Sequence, residues 1–152
     1  MLNGHDIRTE MAQVRRQIGY CPQFDALIEL MTGRELLVMY AQLRGIPADG
    51  VDAEVTRLIN LLALEKHADK LSWTYSGGNK RKLSTAIALV GRPPIVFLDE
   101  PTTGVDPGAR RFLWDALLEV LEEGAVIVLT SHSMEECEAL CTRLTIMADG
   151  QV

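Results

Sequence analysis

Long apolar runs are missing from this chain: no stretch approaches the roughly 20 residues that cross a bilayer, and the opening residues lack a signal-peptide pattern. A membrane connection is therefore expected to come from a partner or from sequence beyond these residues. An excess of basic charge is missing as well. The net charge of −6 argues against a general nucleic-acid-binding surface and gives no polybasic membrane anchor. Cysteine is scarce: Cys21, Cys137 and Cys141 form no disulfide framework and suit a reducing compartment. Cys137 and Cys141 stand four apart with His132 just upstream, but a fourth ligand at metal-site spacing is lacking. Internal repeats and low-complexity tracts are absent too. What remains is 152 residues, 47% hydrophobic and 24% charged, the proportions of one globular domain with a real core.

Ile95-Val96-Phe97-Leu98-Asp99-Glu100-Pro101 anchors the rest. Four bulky apolar residues, fenced by Gly91-Arg92-Pro93-Pro94 and by Pro101, predict a strand buried on both faces of a parallel sheet. Asp99 and Glu100 then emerge at its carboxyl end, where ligands of open α/β sheets bind. Taken alone, the pair is also consistent with two solvated acids in a turn.

Around this strand the pattern alternates. Met1 to Gly4 reads as the tail of a strand entering an Asn-Gly turn, and residues 18–21 as a short strand stopped by Pro22. Thr32-Gly33-Arg34-Glu35 has capping-box spacing, with Leu36, Leu37, Tyr40 and Leu43 at helical intervals behind it. A second amphipathic helix is expected over 51–64, a linker over 70–75, and a third helix from Ser76 to about Val90. After the Ile95 strand come a Thr/Gly/Pro-rich loop and a helix carrying Phe112, Leu113, Ala116, Leu117, Val120 and Leu121 on one stripe. A strand over 125–130, a helix with a second capping box at Ser133-Met134-Glu135-Glu136, and a final strand over 144–147 closed by Asp149-Gly150 complete the series. The order predicts an α/β fold with mainly parallel strands and a helical insertion over about 24–90.

The loops carry the chemistry. Ser76 is a good N-cap, Gly77 and Gly78 leave backbone N–H groups open, and a helix N-terminus suits a phosphate. Asn79 follows, and Lys80-Arg81-Lys82 places three cations in the first turn, where the macrodipole disfavours them unless an anion sits nearby. A capped surface helix with a solvated basic face fits this loop equally well. Asp99 at a strand end can hold Mg²⁺ beside phosphate oxygens, while Glu100 orients or deprotonates an attacking water. His132, just beyond the next strand, can reach a terminal phosphate or that water, although a lone histidine is more often structural. Gln23 can touch the metal, and Asp106 either takes part or merely caps the following helix. All these groups are expected at one edge of one sheet.

Taken in order, Gln23, Ser76-Gly77-Gly78-Asn79-Lys80, Ile95 through Pro101, Gly104-Val105-Asp106 and His132 resemble the nucleotide-binding domain of ATP-binding-cassette transporters, of P-loop NTPase-like fold, across nearly the whole chain. The resemblance implies Mg²⁺ and ATP as cofactors. It implies that Gln23 is the Q-loop glutamine, touching the metal site and coupling to the membrane domain. Ser76, Gly77, Gly78, Asn79 and Lys80 would be the signature motif, which binds the γ-phosphate of ATP held by an opposite cassette. Asp99 would be the Mg²⁺-associated Walker B aspartate, Glu100 the catalytic glutamate, Asp106 the D-loop aspartate and His132 the switch histidine. Residues 24–90 would form the helical subdomain, and 1–23 with 91–152 parts of the RecA-like core.

Gly19-Tyr20-Cys21-Pro22-Gln23-Phe24-Asp25 and the Tyr75-to-Ser84 segment look like subfamily A, the lipid exporters, most like their second cassette. The implied partners are transmembrane domains, a second cassette packed head to tail and, through the membrane domain, a lipid; nucleic acid is not among them. The implied place is the cytoplasmic face of a plasma or vesicle membrane. The phosphate-cradling Gly-x-x-x-x-Gly-Lys-Ser/Thr segment does not occur in these residues. The expectation is thus a piece of a cassette, with Met1 internal to a strand, that is inactive alone. The alternatives are a non-catalytic cassette that only offers its signature loop to a partner, and a soluble ATPase of the same fold. The compact helical middle, without extended heptads, favours the transporter.

Overall fold

The computed structural model describes residues 1–148 and 151. Its elements run α1 (Met11–Gln17), β1 (Ile18–Cys21), α2 (Gly33–Leu43), α3 (Ala48–Leu61), a short 3-10 turn (Ser72–Thr74), α4 (Gly77–Leu89), β2 (Ile95–Asp99), α5 (Pro107–Glu122), β3 (Val126–Thr130) and α6 (Met134–Leu140). The three strands form one parallel sheet in the order β1-β2-β3. Ile18 pairs with Ile95 and Cys21 with Leu98; Ile95 pairs in turn with Val126 and Asp99 with Thr130. The expected α/β architecture is present, with α2, α3 and α4 between the first two strands.

Helix α2 begins where its sequence says it should. The Glu35 N–H donates to Thr32 Oγ1 (3.1 Å) and the Thr32 N–H to Glu35 Oε2 (2.8 Å), so the capping box is complete. Behind the cap, Leu36, Leu37 and Ala41 are fully buried against Val55, Leu58 and Leu62 of the α3 region and Leu83 and Ala86 of α4. The α4 helix lies directly on β1. A Cβ on Gly19 would sit 2.0 Å from the Ala88 carbonyl oxygen, so only glycine allows this approach. Beyond the end of α2, Arg44 Nη2 donates to the Ile18 carbonyl (2.7 Å) and ties the helical layer to the first strand.

Several expectations need correction. Strand β2 is covered on one face only: Val96 and Leu98 are buried, while Ile95 and Phe97 are half-buried. The neighbouring strands show why. Gly19 and Cys21 turn with Val96 and Leu98 toward the helices, whereas Tyr20 (56% exposed), Val126 (56%) and Val128 (49%) form an outer face that no helix of the described residues covers. Residues 144–147 form no strand, since an apolar run becomes one only when its backbone finds a partner; Leu144, Ile146 and Met147 are exposed, and an isolated bridge joins Ala148 to Gln151. Asp149 and Gly150 lie outside the described residues. Only half of the second capping box forms, with the Glu136 N–H on Ser133 Oγ (3.4 Å), because the Glu136 carboxylate is drawn inward to accept from Trp114 Nε1 (3.2 Å). Helix α1, with Val14 as its one buried side chain, carries no periodic signal in the sequence. At the start, Leu2 and His5 make an isolated antiparallel bridge around Asn3 (φ +45°) and Gly4 (φ +85°), so the Asn-Gly turn is present without an extended strand.

Candidate functional site

Parallel strands release their carboxyl ends at one edge, and the register fixes which residues meet there. With Cys21, Leu98 and Leu129 in one row, Gln23, Asp99, Glu100 and His132 all leave the sheet within three residues of that row. The expected convergence is therefore built into the pairing.

At the edge, the end of β3 supports the carboxylates of β2. Thr130 Oγ1 donates to Asp99 Oδ1 and accepts the Glu100 N–H (3.1 Å), which is shared with the Thr130 carbonyl (3.2 Å). Glu100 has φ +45°, a left-handed conformation that costs a non-glycine residue about 1–2 kcal/mol. The surroundings hold it there. Thr103 donates its N–H to the Glu100 carbonyl (3.2 Å) and its hydroxyl to Glu100 Oε2 (2.7 Å), and His132 Nε2 lies 3.0 Å from Glu100 Oε1. Both carboxylate oxygens are thus engaged, although the Glu100 side chain is only 15% exposed and that of His132 is 90% exposed. Thr103 and Thr130 were not singled out in the sequence; the parallel register of β2 and β3 is the signal that brings Thr130 to Asp99.

The glycine-rich loop sits at the start of α4. Ser76 Oγ accepts the Asn79 N–H (3.3 Å) as an N-cap. A Cβ on Gly77 would meet nothing within 4 Å, and one on Gly78 would meet only ordinary contacts, at 3.7 Å, with Ala109 and with Asp106 Oδ2. Neither glycine has a positive φ. Nothing among the described residues requires them, and glycine in a helix costs up to about 1 kcal/mol relative to alanine. Asp106 caps α5, its Oδ1 accepting the Ala109 N–H (3.0 Å), and stands beside Gly78.

The basic first turn of α4 does not act as expected from the sequence. Arg81 is buried and turns inward to backbone carbonyls, and Lys82 places Nζ 4.3 Å from the centre of the Phe112 ring. Burial pulls the Lys82 ammonium below its ordinary pKa, with Asp106 and Glu65 opposing. Lys80 alone of the three is left at the loop without such an internal partner among the described residues. Cys21 is also inward, against Ser84 and Thr85, and burial pushes its thiol up, so it is packing rather than nucleophile.

Divalent metal and phosphate chemistry fits these groups in a particular way. Among the described residues no cluster of three His, Cys, Asp or Glu side chains is placed to hold a metal by itself. Mg²⁺ asks for less: one or two carboxylates plus phosphate oxygens and water. Asp99 offers Oδ2 beyond the oxygen bound by Thr130, and Gln23 is exposed at the adjacent strand end. The rim is open rather than pocketed. A cavity of about 230 Å³ lined by Arg57, Pro93, Pro94 and Ala125 lies at the opposite, amino-terminal edge of the strands.

Similarity to known proteins extends along nearly the whole chain. The model of the ABC transporter family matches residues 1–103. The chain is 62% identical over 150 residues to the human phospholipid-transporting ATPase ABCA3, covering 99% of this chain and 9% of that protein. It is 60% identical over 147 residues to the human retinal-specific phospholipid-transporting ATPase ABCA4, covering 97% of this chain and 6% of that protein. Among solved structures, an ATP-binding subunit of an ABC transporter superimposes with a TM-score of 0.86 at 29% identity, over 99% of this chain and 62% of that one. The chain thus spans a small part of the length of these curated relatives.

Proposed function

The chain belongs to the ABC transporter family, within reach of its subfamily A members along nearly its whole length, and from that premise we propose that it forms the catalytic edge and the signature face of a cassette that hydrolyses ATP in a membrane transporter of lipids. The observation that carries this reading is the Glu100–His132 contact at 3.0 Å, on a strained residue beside Asp99 at the carboxyl edge of a parallel sheet. A general base of this kind needs a fixed carboxylate; Thr103 and His132 hold the two oxygens of this one, and hydrogen bonds to Thr130 and Thr103 hold its backbone.

Bound Mg²⁺ would supply neutralisation of the charge on the terminal phosphates of ATP, with Asp99 Oδ2 and the Gln23 amide as its protein neighbours. Glu100 orients a water and takes its proton as that water attacks. Thr103 keeps Glu100 Oε2 in place, and His132, exposed and in ion-pair contact with Oε1, turns toward the reacting phosphate to hold developing charge. Ser76 and the open N–H groups of Gly77 and Gly78 face outward with Asn79 and Lys80, as a second, head-to-tail cassette requires for closing on its own ATP. Asp106 stands beside Gly78 and belongs to the same interface. The Gln23 segment faces the transmembrane domains on the cytoplasmic side. The lipid is met by those domains, not by this chain, and nucleic acid has no place in the scheme.

Glu100→Gln in the full-length transporter tests the assignment. It keeps the shape and the Thr103 bond but removes the base, so ATP remains bound while turnover falls by roughly 10²–10⁴-fold. Hydrolysis at the wild-type rate would remove Glu100 from this role. The 152 residues by themselves contain no Gly-x-x-x-x-Gly-Lys-Ser/Thr segment to cradle the phosphates and are expected to be inactive. Robust Mg-ATP turnover by the purified chain would contradict that.

A further inference from the structure

Arg81 is the most fully engaged charged side chain at the rim, and none of the roles above uses it. It lies on the second turn-face of α4, five residues after the Ser76 cap, and is 3% exposed. Its Nε donates to the Pro101 carbonyl (2.9 Å). Nη1 donates to the carbonyls of Pro22 and Gln23 (3.2 Å to the latter) and lies 3.5 Å from Asp25 Oδ1. Nη2 donates to the carbonyls of Asp99 and Glu100 (3.0 Å to the latter).

These carbonyls belong to the last residue of β2 and to chain that has just left β1 and β2, where the ladder runs out of N–H donors. Two strand exits therefore direct several carbonyl dipoles at one buried point. A guanidinium has five N–H donors in a planar fork, enough to reach both exits at once. A lysine has a single nitrogen at the end of a flexible stem and cannot span them. Burial of the charge is tolerable because every donor direction finds oxygen.

Resting on the functional reading above, we propose that Arg81 is a positioning residue: it fixes the backbone bearing Gln23, Asp99 and Glu100 relative to the helix that begins with Ser76, Gly77 and Gly78. The side chain is buried and directs its donors to the chain's own oxygens. It sets where the Glu100 backbone sits, and so where its carboxylate points. It also explains why a cation stands in the first turns of α4 against the macrodipole: the compensating oxygens are carbonyls of the same chain, not an external anion.

The test uses the full-length transporter carrying Arg81→Lys or Arg81→Gln, alone and combined with Glu100→Gln, and measures kcat and KM for ATP on folded, membrane-extracted protein. A displacement of about 1 Å at the carboxylate lowers kcat on the order of 10²-fold. The expected result is a fall of that order in kcat with KM for ATP within about threefold, because the nucleotide's seat is elsewhere. In the Glu100→Gln background the Arg81 substitutions should add almost nothing, since the group they position is already gone. Kinetics of Arg81→Lys within twofold of wild type would overturn the proposal, as would a rise in KM with unchanged kcat or losses that simply add to those of Glu100→Gln. Failure of both variants to accumulate as folded protein would show a folding requirement instead, and equally overturn it. If Glu100→Gln itself hydrolyses normally, it is the functional reading that fails, and the two failures are told apart.

Discussion

The helical layer and the outer face of the sheet flank the same three strands and are built on opposite terms. On the helical side, Leu36, Leu37, Leu58, Leu62 and Leu83 are fully buried, and the layer is anchored to the sheet by the Gly19–Ala88 approach and the Arg44 bond to Ile18. On the outer side, Tyr20, Val126 and Val128 remain about half exposed. The rim between them is different again: its groups are held by hydrogen bonds rather than by packing, and one of them, Glu100, sits in a strained backbone conformation. Burial in this molecule is concentrated where the helices meet the sheet, and the proposed chemistry lies where the strands end. Substitutions on the two sides should therefore separate cleanly into those that unfold the protein and those that silence it.

The largest effect is expected from Leu58→Ala, which opens a cavity in the closed layer and costs about 2–5 kcal/mol, read as a shift in the urea midpoint at unchanged slope. Gly77→Ala should do the reverse. It adds a methyl into open space and leaves the melting curve unchanged or raises stability by up to about 1 kcal/mol, since alanine is the better helix former. If Gly77 receives a partner's phosphate as proposed, the same methyl lowers turnover of the full-length transporter about tenfold, the equivalent of roughly 1.4 kcal/mol. A destabilised Gly77→Ala protein, or one with full activity, would blur the contrast. Smallest of all, Val128→Thr on the outer face should change stability by no more than about 0.5 kcal/mol in the chain itself; a cost near that of Leu58→Ala would mean that this face is covered after all.

What the sequence disclosed follows the range of the interactions. The Thr32–Glu35 capping box spans three residues and formed as its spacing predicts. Apolar runs fenced by Pro and Gly gave β1 and β2, and the common rim followed once the strands were parallel. Failures came where a distant partner overrides local pattern. Glu136 fits a capping box but is claimed by Trp114, 22 residues away. Arg81 looks like a phosphate-facing cation but is claimed by carbonyls 18 to 59 residues away. Residues 144–147 have the composition of a strand but pair with no strand among the described residues, while α1 forms with too few apolar positions to show a period. The common placement of Gln23, Asp99, Glu100 and His132 at one rim was legible because each ends or closely follows a strand, and parallel strands end together.

If the rim serves chemistry and adds little to the fold, His132→Ala should separate the two. The side chain is 90% exposed and touches Glu100 alone among the ion-pair partners at the edge. Thermal melting and ATP turnover would be measured together on the full-length transporter. The expected result is a melting curve that overlays the wild type and a turnover lower by about 10²-fold, the usual scale for losing one placed charge-stabilising donor. Unchanged turnover, or a loss of activity that merely tracks a lowered melting temperature, would contradict it.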